Sequence, residues 1–597
     1  MRILFAIHTW HPEGRGGSEH HARELAQALQ EKGHQIGVFT RTGRPDLDRY
    51  QVVTGWDGDI SVTRINNLYW ETPTFEWIYK NEKVHEAFLR EVDSFQPDLV
   101  HVHHLTGLST TIIEALKARG LPVVFTLHDF WTICPRGQRM TRDLELCVEV
   151  DRNRCYTCLG GLWPHLFPDR GGERTIVDLR GELSPANLAE FDRHMNYVLG
   201  LCDLLVCPTE FHRERMLDFP LDPERIISLP HGMKTSGFSR TKRPGRRPRT
   251  IGYLGAVIPV KGVHVLIEAF KKLDRPDLVL AIHGECQAFH DDQTYKERLE
   301  AQAGGRKNIV FAGAYEPEDV PRLLEGIDIL VVPSLWWETF CITLREGLLA
   351  GIPVVASDLG AMREALDGEE NGLLFRTGDA NDLARVLARL LEDEDLYRRY
   401  KDRGFTVKTL EEYIPEIERV YDQAVEAARA RAATLKVAPP SFPREPEALP
   451  APARGPSSLV VPWEELGVAV KHHGALDMSF VTQRPTAEKP VLGLDITLRD
   501  GDMKLGQVGV LVDMRALAGN AEDTGRSGRA SRGEDSTLEA DVAEEGGEGN
   551  VERAEEDGQR LRRIQLSRDG RRLVKIGLPR RKKAVDRLSL AKPVDES

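Results

Sequence analysis

The chain has 597 residues, 41% apolar and 29% charged, with a formal net charge of −13, which is the profile of a soluble-type globular chain with several domains of roughly 150 residues. The acidic balance excludes a general nucleic-acid binder, whose surface needs a basic excess. No apolar run approaches the ~18 residues of a membrane helix, and eight cysteines are too few for a secreted disulfide framework.

MRILFAIHTWHPEGRGG, at the start, reads as a strand running into a glycine turn and not as an export signal, so the expected location is cytoplasmic. Apolar runs RILFAI, QIGVFT, DLVHVHH, PVVFTLHD, LLVCPTEF and RIISLPHG predict buried strands. Amphipathic stretches such as SEHHARELAQALQEKGH separate them, which predicts a parallel sheet with helices on both faces. A basic, Pro-containing stretch, Thr241–Arg249, interrupts the alternation. It restarts with TIGYLGA, LVLAIHGE, NIVFAGAY, DILVVPS and PVVAS.

The expected domains are 1–240 and 241–433, the second closed by the helical stretch LEEYIPEIERVYDQAVEAARARAA. A Pro/Ala-rich linker over 434–458 follows, then a small β-rich accessory region over 459–597. There RRIQLSRDGRRLVKIGLP predicts a hairpin turning at Asp569-Gly570. The Glu- and Gly-rich stretch near 520–558 is expected to be disordered.

Two open α/β domains in tandem make a cleft, and such sheets bind ligands at the carboxyl ends of their strands. Gly16-Gly17 follow the first strand and precede a helix. GAVIPVKG (Gly255–Gly262) does the same in the second domain, with Lys261 just ahead of the helix. Glycine lets a backbone approach a phosphate, a helix N-terminus offers unpaired N–H groups, and lysine adds a point charge. Each alone is equally a plain turn.

SLWWETFCITLREGLLAGIPVVAS (Ser334–Ser357) carries Glu338 and Glu346. On one continuous helix they would lie about 80° apart. Two carboxylates serving one ligand fit better if Glu338 precedes the helix and Glu346 lies a turn or two inside it. The N–H groups of Phe340, Cys341, Ile342 and Thr343 would then face a diphosphate at the helix start. The bland alternative is a pair of solvated helix-end charges.

Together with GGSEHHARELAQALQEKGHQIGVFT, PDLVHVHH, FTLHDFW, ISLPHG and VKG, this block resembles the retaining glycosyltransferases of family 4 over about residues 1–430. The resemblance implies the GT-B fold, an α/β architecture of two doubly wound, parallel-sheet (Rossmann-like) domains facing a cleft. It implies transfer of a sugar from a nucleotide-diphosphate donor to a hydroxyl acceptor with retention, of the hexosyltransferase class, in polysaccharide or glycoconjugate biosynthesis. Its partners would be a nucleotide-sugar donor and a glycan or lipid-linked acceptor, with peripheral contact at the inner membrane and no nucleic acid.

By the same resemblance Glu338 lies by the donor sugar, Glu346 holds the ribose hydroxyls, and Lys261 neutralises the leaving diphosphate. His128 stands near the reacting sugar, against the alternative of a packed strand-end histidine. Asp129 either orients that ring or caps a turn. Gly255, Gly16, Gly17 and Gly360 belong to the donor side, and Gly232 is a hinge or a contact. The chain departs from the family at Ala256, where an arginine is common, and at Ala361, where a second glycine is usual. No Asp-x-Asp stands at a suitable strand end, so the resemblance implies donor binding with no cofactor required for catalysis. The rival reading is a catalytically inactive GT-B sugar-binding or scaffold protein, favoured by Ala256 and opposed by Glu338, Glu346 and Lys261. An epimerase would need further acid–base residues that no motif supplies.

Cys134, Cys147, Cys155 and Cys158 follow the pattern C-x12-C-x7-C-x2-C. Four thiolates suit a structural zinc pinning a loop on the acceptor side, and four reduced thiols are the equal alternative. His101, His103 and His104 alternate across a strand, which argues against a metal there.

Overall fold

The computed structural model describes residues 1–443 apart from 15, 69–71, 73, 161, 164–184, 239–247, 287–288, 290–293 and 404; beyond 443 it describes eight strands. The chain divides into two compact units, Met1–Arg444 and Glu445–Ser597.

The first unit contains two sheets. One has the strands β1 (Arg2–Ile7), β2 (Gln35–Thr42), β3 (Val52–Asp57), β4 (Ile60–Asn66), β5 (Leu99–Val102), β6 (Val123–Thr126), β7 (Leu204–Cys207) and β8 (Ile226–Ser228), ordered β3-β4-β2-β1-β5-β6-β7-β8. All its neighbours pair in parallel except β3, which joins β4 as an antiparallel edge hairpin. Sequence reading missed that hairpin. Its cue was the alternation of Val52–Asp57 with an Asp57-Gly58 turn, which does not fit a search for strand–helix alternation.

The other sheet has β9 (Thr250–Leu254), β10 (Val279–His283), β11 (Ile309–Gly313), β12 (Ile329–Val332), β13 (Val354–Ser357) and β14 (Leu373–Phe375), all parallel in the order β11-β10-β9-β12-β13-β14. Each sheet is covered on both faces, which is why its strands read as continuous apolar runs and not as alternation.

The helix Leu410–Arg431 starts with a capping box between Thr409 and Glu412. Its apolar stripe, including Tyr413, Ile414, Ile417 and Tyr421, packs into the core formed by Ile3, Phe5 and Leu25 of the first lobe. The expectation that it closes the second domain is therefore corrected. An amphipathic helix covers whichever sheet face is bare, and chain order does not reveal which that is.

No helix among the described residues is long and apolar enough to cross a membrane. The second unit contains β15 (Ala469–Val470), β16 (Leu476–Gln483), β17 (Val491–Asp500), β18 (Met503–Asp513), β19 (Glu548–Glu556), β20 (Gln559–Arg568), β21 (Arg571–Pro579) and β22 (Leu588–Ala591). They form two four-stranded sheets, β15-β21-β20-β19 and β16-β17-β18-β22. β20 and β21 pair antiparallel, and the Asp569-Gly570 turn lies outside the described residues. β19 falls inside the stretch expected to be disordered. It pairs antiparallel with β20. The remainder of that stretch up to 547, and the linker over 444–458, lie outside the described residues.

Candidate active site

The second-lobe side begins with a close approach. Gly262 has φ 72°, and a Cβ there would fall 1.9 Å from the Pro333 carbonyl oxygen. Only glycine lets the turn after β9 press on the loop after β12. That contact delivers Lys261 to Glu338: Nζ lies 2.8 Å from Oε1. The same oxygen accepts from Ser334 Oγ at 2.7 Å and Trp336 Nε1 at 2.9 Å. Three donors converge on Oε1 of a buried carboxylate, leaving Oε2 for a ligand. Burial would lower the Lys261 pKa, but the Glu338 charge outweighs it and holds the ammonium above its ordinary value. The ammonium also sits 5.2 Å from the centre of the Trp336 ring.

Next comes the helix Ile342–Leu349, so Glu338 precedes it and Glu346 lies in its second turn. Its N-cap, Cys341, is left-handed at φ 60°, ψ 75°, a conformation costing roughly 1–2 kcal/mol for a residue with a Cβ. Burial, then Glu338, pushes the Cys341 thiol up to about 12, so it is protonated. Arg345 lies over the Phe340 ring at 3.9 Å and donates to its carbonyl, bracing the turn from behind. Burial, then Glu24 across the cleft, pushes Glu346 up to about 8. Ala256, in the place of the expected arginine, is exposed beside Gly255, whose φ is 138°.

The first lobe meets this helix closely. A Cβ on Gly17 would lie 3.3 Å from Ile342 Cδ1, so the start of the helix Gly17–Glu31 abuts the start of Ile342–Leu349. A Cβ on Gly16 would meet Glu19 Oε2 at 2.6 Å. Glu19 accepts from Thr9 Oγ1 and Ser18 Oγ, both at 2.7 Å, and lies 3.1 Å from His8 Nε2. Burial opposes its ionisation, but His8 and these hydroxyls outweigh it and hold the carboxyl well below its ordinary range. Burial keeps His8 below its own ordinary value, so the contact at neutral pH is an imidazole N–H donating to a carboxylate.

His128 follows β6, and its carbonyl accepts from Thr339 Oγ1 at 2.6 Å, tying it to the second lobe. Burial, reinforced by His104, lowers its pKa to about 3, so the ring is neutral. Asp129 accepts from the Trp131 N–H at 2.8 Å and pairs with His104 at 3.1 Å, not with His128. The turn cap prevails over the ring-orienting role. His128 Nε2 instead meets His103 Nδ1 at 3.1 Å. His103 went unassigned in the sequence because a strand face says nothing of the neighbouring strand's end, and β5 and β6 are neighbours.

Gly360, with φ 53°, faces the first lobe. A Cβ there would strike Phe211 at 2.9 Å, and Glu364 accepts from the N–H groups of Glu210 at 3.3 Å and Phe211 at 2.9 Å. The structure thus gives Gly360 an inter-lobe packing role. Gly232 is likewise packed: a Cβ would lie 2.4 Å from Tyr413 Cβ, where the crossover passes the helix Leu410–Arg431.

Cys134, Cys147, Cys155 and Cys158 line one cavity as free thiols. Among the described residues no group of three or more His, Cys, Asp or Glu is placed to hold a metal ion. The guanidinium of Arg136 lies 3.4 Å from Cys158 Sγ and that of Arg152 lies 3.5 Å from Cys155 Sγ. Each guanidinium can donate to its sulfur, and the thiols lie near enough to one another that Cys134 adds to the upward shift that burial gives Cys147, Cys155 and Cys158.

Residues 15–236 match the model of Glycosyltransferase Family 4 and residues 238–407 that of Glycosyl transferases group 1. The D-inositol 3-phosphate glycosyltransferase of Corynebacterium jeikeium is 32% identical over 399 residues, which is 64% of this chain and 84% of that protein. The chain belongs to the family 4 glycosyltransferases. An uncharacterized glycosyltransferase of Methanocaldococcus jannaschii is 29% identical over 432 residues, covering 69% of this chain and 98% of its own length. The sucrose-phosphate synthase structure from Thermosynechococcus elongatus superposes with a TM-score of 0.53 at 18% identity, covering 71% of this chain and 99% of that one. This likeness gives the glycosyltransferase its fold class, GT-B.

Proposed function

We propose that this glycosyltransferase moves a sugar, with retention of anomeric configuration, from a nucleoside diphosphate donor to a hydroxyl of a glycan or lipid-linked acceptor. The observation that carries this is the Lys261–Glu338 pair set at the start of the helix Ile342–Leu349. As the anomeric C–O bond breaks, negative charge develops on the departing diphosphate. The Lys261 ammonium and the helix N–H groups are preorganised for it. Charge is thus neutralised by the chain itself, and no cofactor is assigned to the step. The acceptor oxygen bonds to the anomeric carbon on the face the diphosphate leaves. Its proton passes to the departing phosphate oxygen.

Glu338 Oε2 is the carboxylate oxygen for the donor sugar, and Glu346 the one for the ribose diol. Neutral His128 offers a hydrogen bond on the sugar side, where a positive charge would oppose the cationic character growing at the anomeric carbon. The product fits polysaccharide or glycoconjugate synthesis in the cytoplasm, at the membrane surface when the acceptor is lipid-linked.

A thermal-shift screen of nucleotide sugars in EDTA tests the donor, because a ligand of the native state raises Tm by mass action. NMR of the product tests the stereochemistry: a retained anomeric configuration is expected, and inversion overturns the reading. The exposed Ala256 favours the alternative of a binding protein that no longer turns over; donor binding with no transfer to any acceptor would establish it.

A further inference from the structure

We infer that His103 is a positioning residue that sets the tautomer of His128 and so bars that ring from acting as a base. This rests on the role given to His128 above. His103 is fully buried, between β5 and the cleft. Its ring lies 4.6 Å from that of Phe5, 4.0 Å from that of His101 and 5.4 Å from that of His128, the last with planes nearly parallel at 19°.

One proton lies between His103 Nδ1 and His128 Nε2, 3.1 Å apart. Which ring owns it follows from the other nitrogen of His103. Its Nε2 is buried and has no hydrogen-bond partner. A neutral imidazole carries its single N–H on one nitrogen. Placed on Nε2, that N–H would be an orphaned buried donor, the rarer and costlier defect; a bare lone pair there is the milder one. His103 therefore carries its proton on Nδ1 and donates it to His128 Nε2. Beyond it, His101 is held by Tyr421 Oη at 2.9 Å and Thr126 Oγ1 at 2.8 Å, and its ring lies tilted at 35° against His103.

The consequence falls on His128. With its Nε2 lone pair engaged, its own proton sits on Nδ1, the nitrogen left for a ligand. The ring meets the sugar as a hydrogen-bond donor and has no free basic nitrogen. It cannot take the acceptor's proton, which leaves the departing phosphate oxygen as the recipient. His103 thus makes the His128 side chain a donor toward the cleft and enforces the proton route written above.

The test uses full-length protein labelled with 15N-histidine. The His128 signals are identified by their loss in His128→Asn. The expected spectrum shows His128 Nδ1 protonated and Nε2 pyridine-like; the reverse pattern overturns the inference. In His103→Asn the amide nitrogen can replace Nδ1, so the His128 tautomer and kcat should stay close to wild type. In His103→Leu the donor is gone: His128 should become a tautomer mixture and kcat should fall by roughly tenfold, with the donor KM unchanged. Loss of kcat in His103→Leu with an unchanged His128 spectrum would overturn the positioning role. If the wild type transfers no sugar at all while the spectrum is as expected, the proposed function fails and the tautomer assignment stands.

Discussion

The two faces of the cleft are built from opposite materials. The second-lobe face is held by formal charge: Lys261 and Glu338 at 2.8 Å, with Ser334 and Trp336 on the same oxygen. The first-lobe face around His128 is mainly neutral imidazoles, with His21 and His231 stacked at 3.7 Å and His103 against His128, and its Glu19 carboxylate is held by His8, Thr9 and Ser18. Burial lowers the pKa of His21, His103, His128 and His231 alike. The difference matches the two ends of a glycosyl transfer. In the proposed reaction the leaving diphosphate would gain negative charge and need a cation, while the anomeric carbon would gain positive character and be best served by polar groups that stay uncharged.

Breaking the charged face should have the largest effect. Glu338→Ala removes the partner of a partly buried ammonium and the oxygen offered to the sugar. We expect kcat to fall by roughly a hundredfold with a measurable loss of Tm, read by steady-state kinetics and thermal unfolding. Wild-type kcat in the folded variant would place this carboxylate outside the chemistry.

Gly262→Ala should come next. The added Cβ has no room beside the Pro333 oxygen, and the left-handed backbone adds strain, together costing on the order of 1–3 kcal/mol of stability. Lys261 should be displaced as well, lowering kcat in parallel. Chemical denaturation and kinetics on one sample check both.

Glu346→Ala should act on binding. A carboxyl group that holds the ribose diol serves ground and transition states alike, so donor KM should rise about tenfold with kcat nearly kept. The opposite split between Glu338 and Glu346 would mean that their roles are exchanged.

The smallest effect is one of pH. Burial, then Glu24, lifts Glu346 from an ordinary 4.5 to about 8. Between those values the folded chain binds a proton that the unfolded chain has released. This group's contribution to stability therefore falls as pH rises through that window. Glu346→Gln should flatten the stability curve there, most visibly near pH 8. Denaturation midpoints at several pH values decide it; an identical slope in the variant would show that Glu346 is already ionised.

The sequence showed the second-lobe face better than the first. Gly262, Lys261, Glu338 and the helix start lie in short blocks whose chemistry depends on local spacing, so their meeting could be read from residues alone. Ser334 and Trp336 sit in the same block, yet their convergence on one oxygen needed the loop's path. The first-lobe face is assembled from Glu19, His103, His128 and His231, which come from four separate segments. Only the sheet order and the crossover at Gly232 bring them together. The helix Leu410–Arg431 failed for the same reason, since its apolar stripe shows that it packs but not on what. For the four cysteines the spacing left zinc and reduced thiols as equal alternatives, and the arginines that lie beside Cys155 and Cys158 are not part of that pattern.

The central claim is that Lys261 carries the charge of the departing diphosphate. It is tested most directly by the kcat/KM of Lys261→Ala, measured in EDTA with the donor found by the thermal screen. We predict a fall of at least about tenfold with the fold intact by circular dichroism. An unchanged kcat/KM in the folded variant would contradict the account.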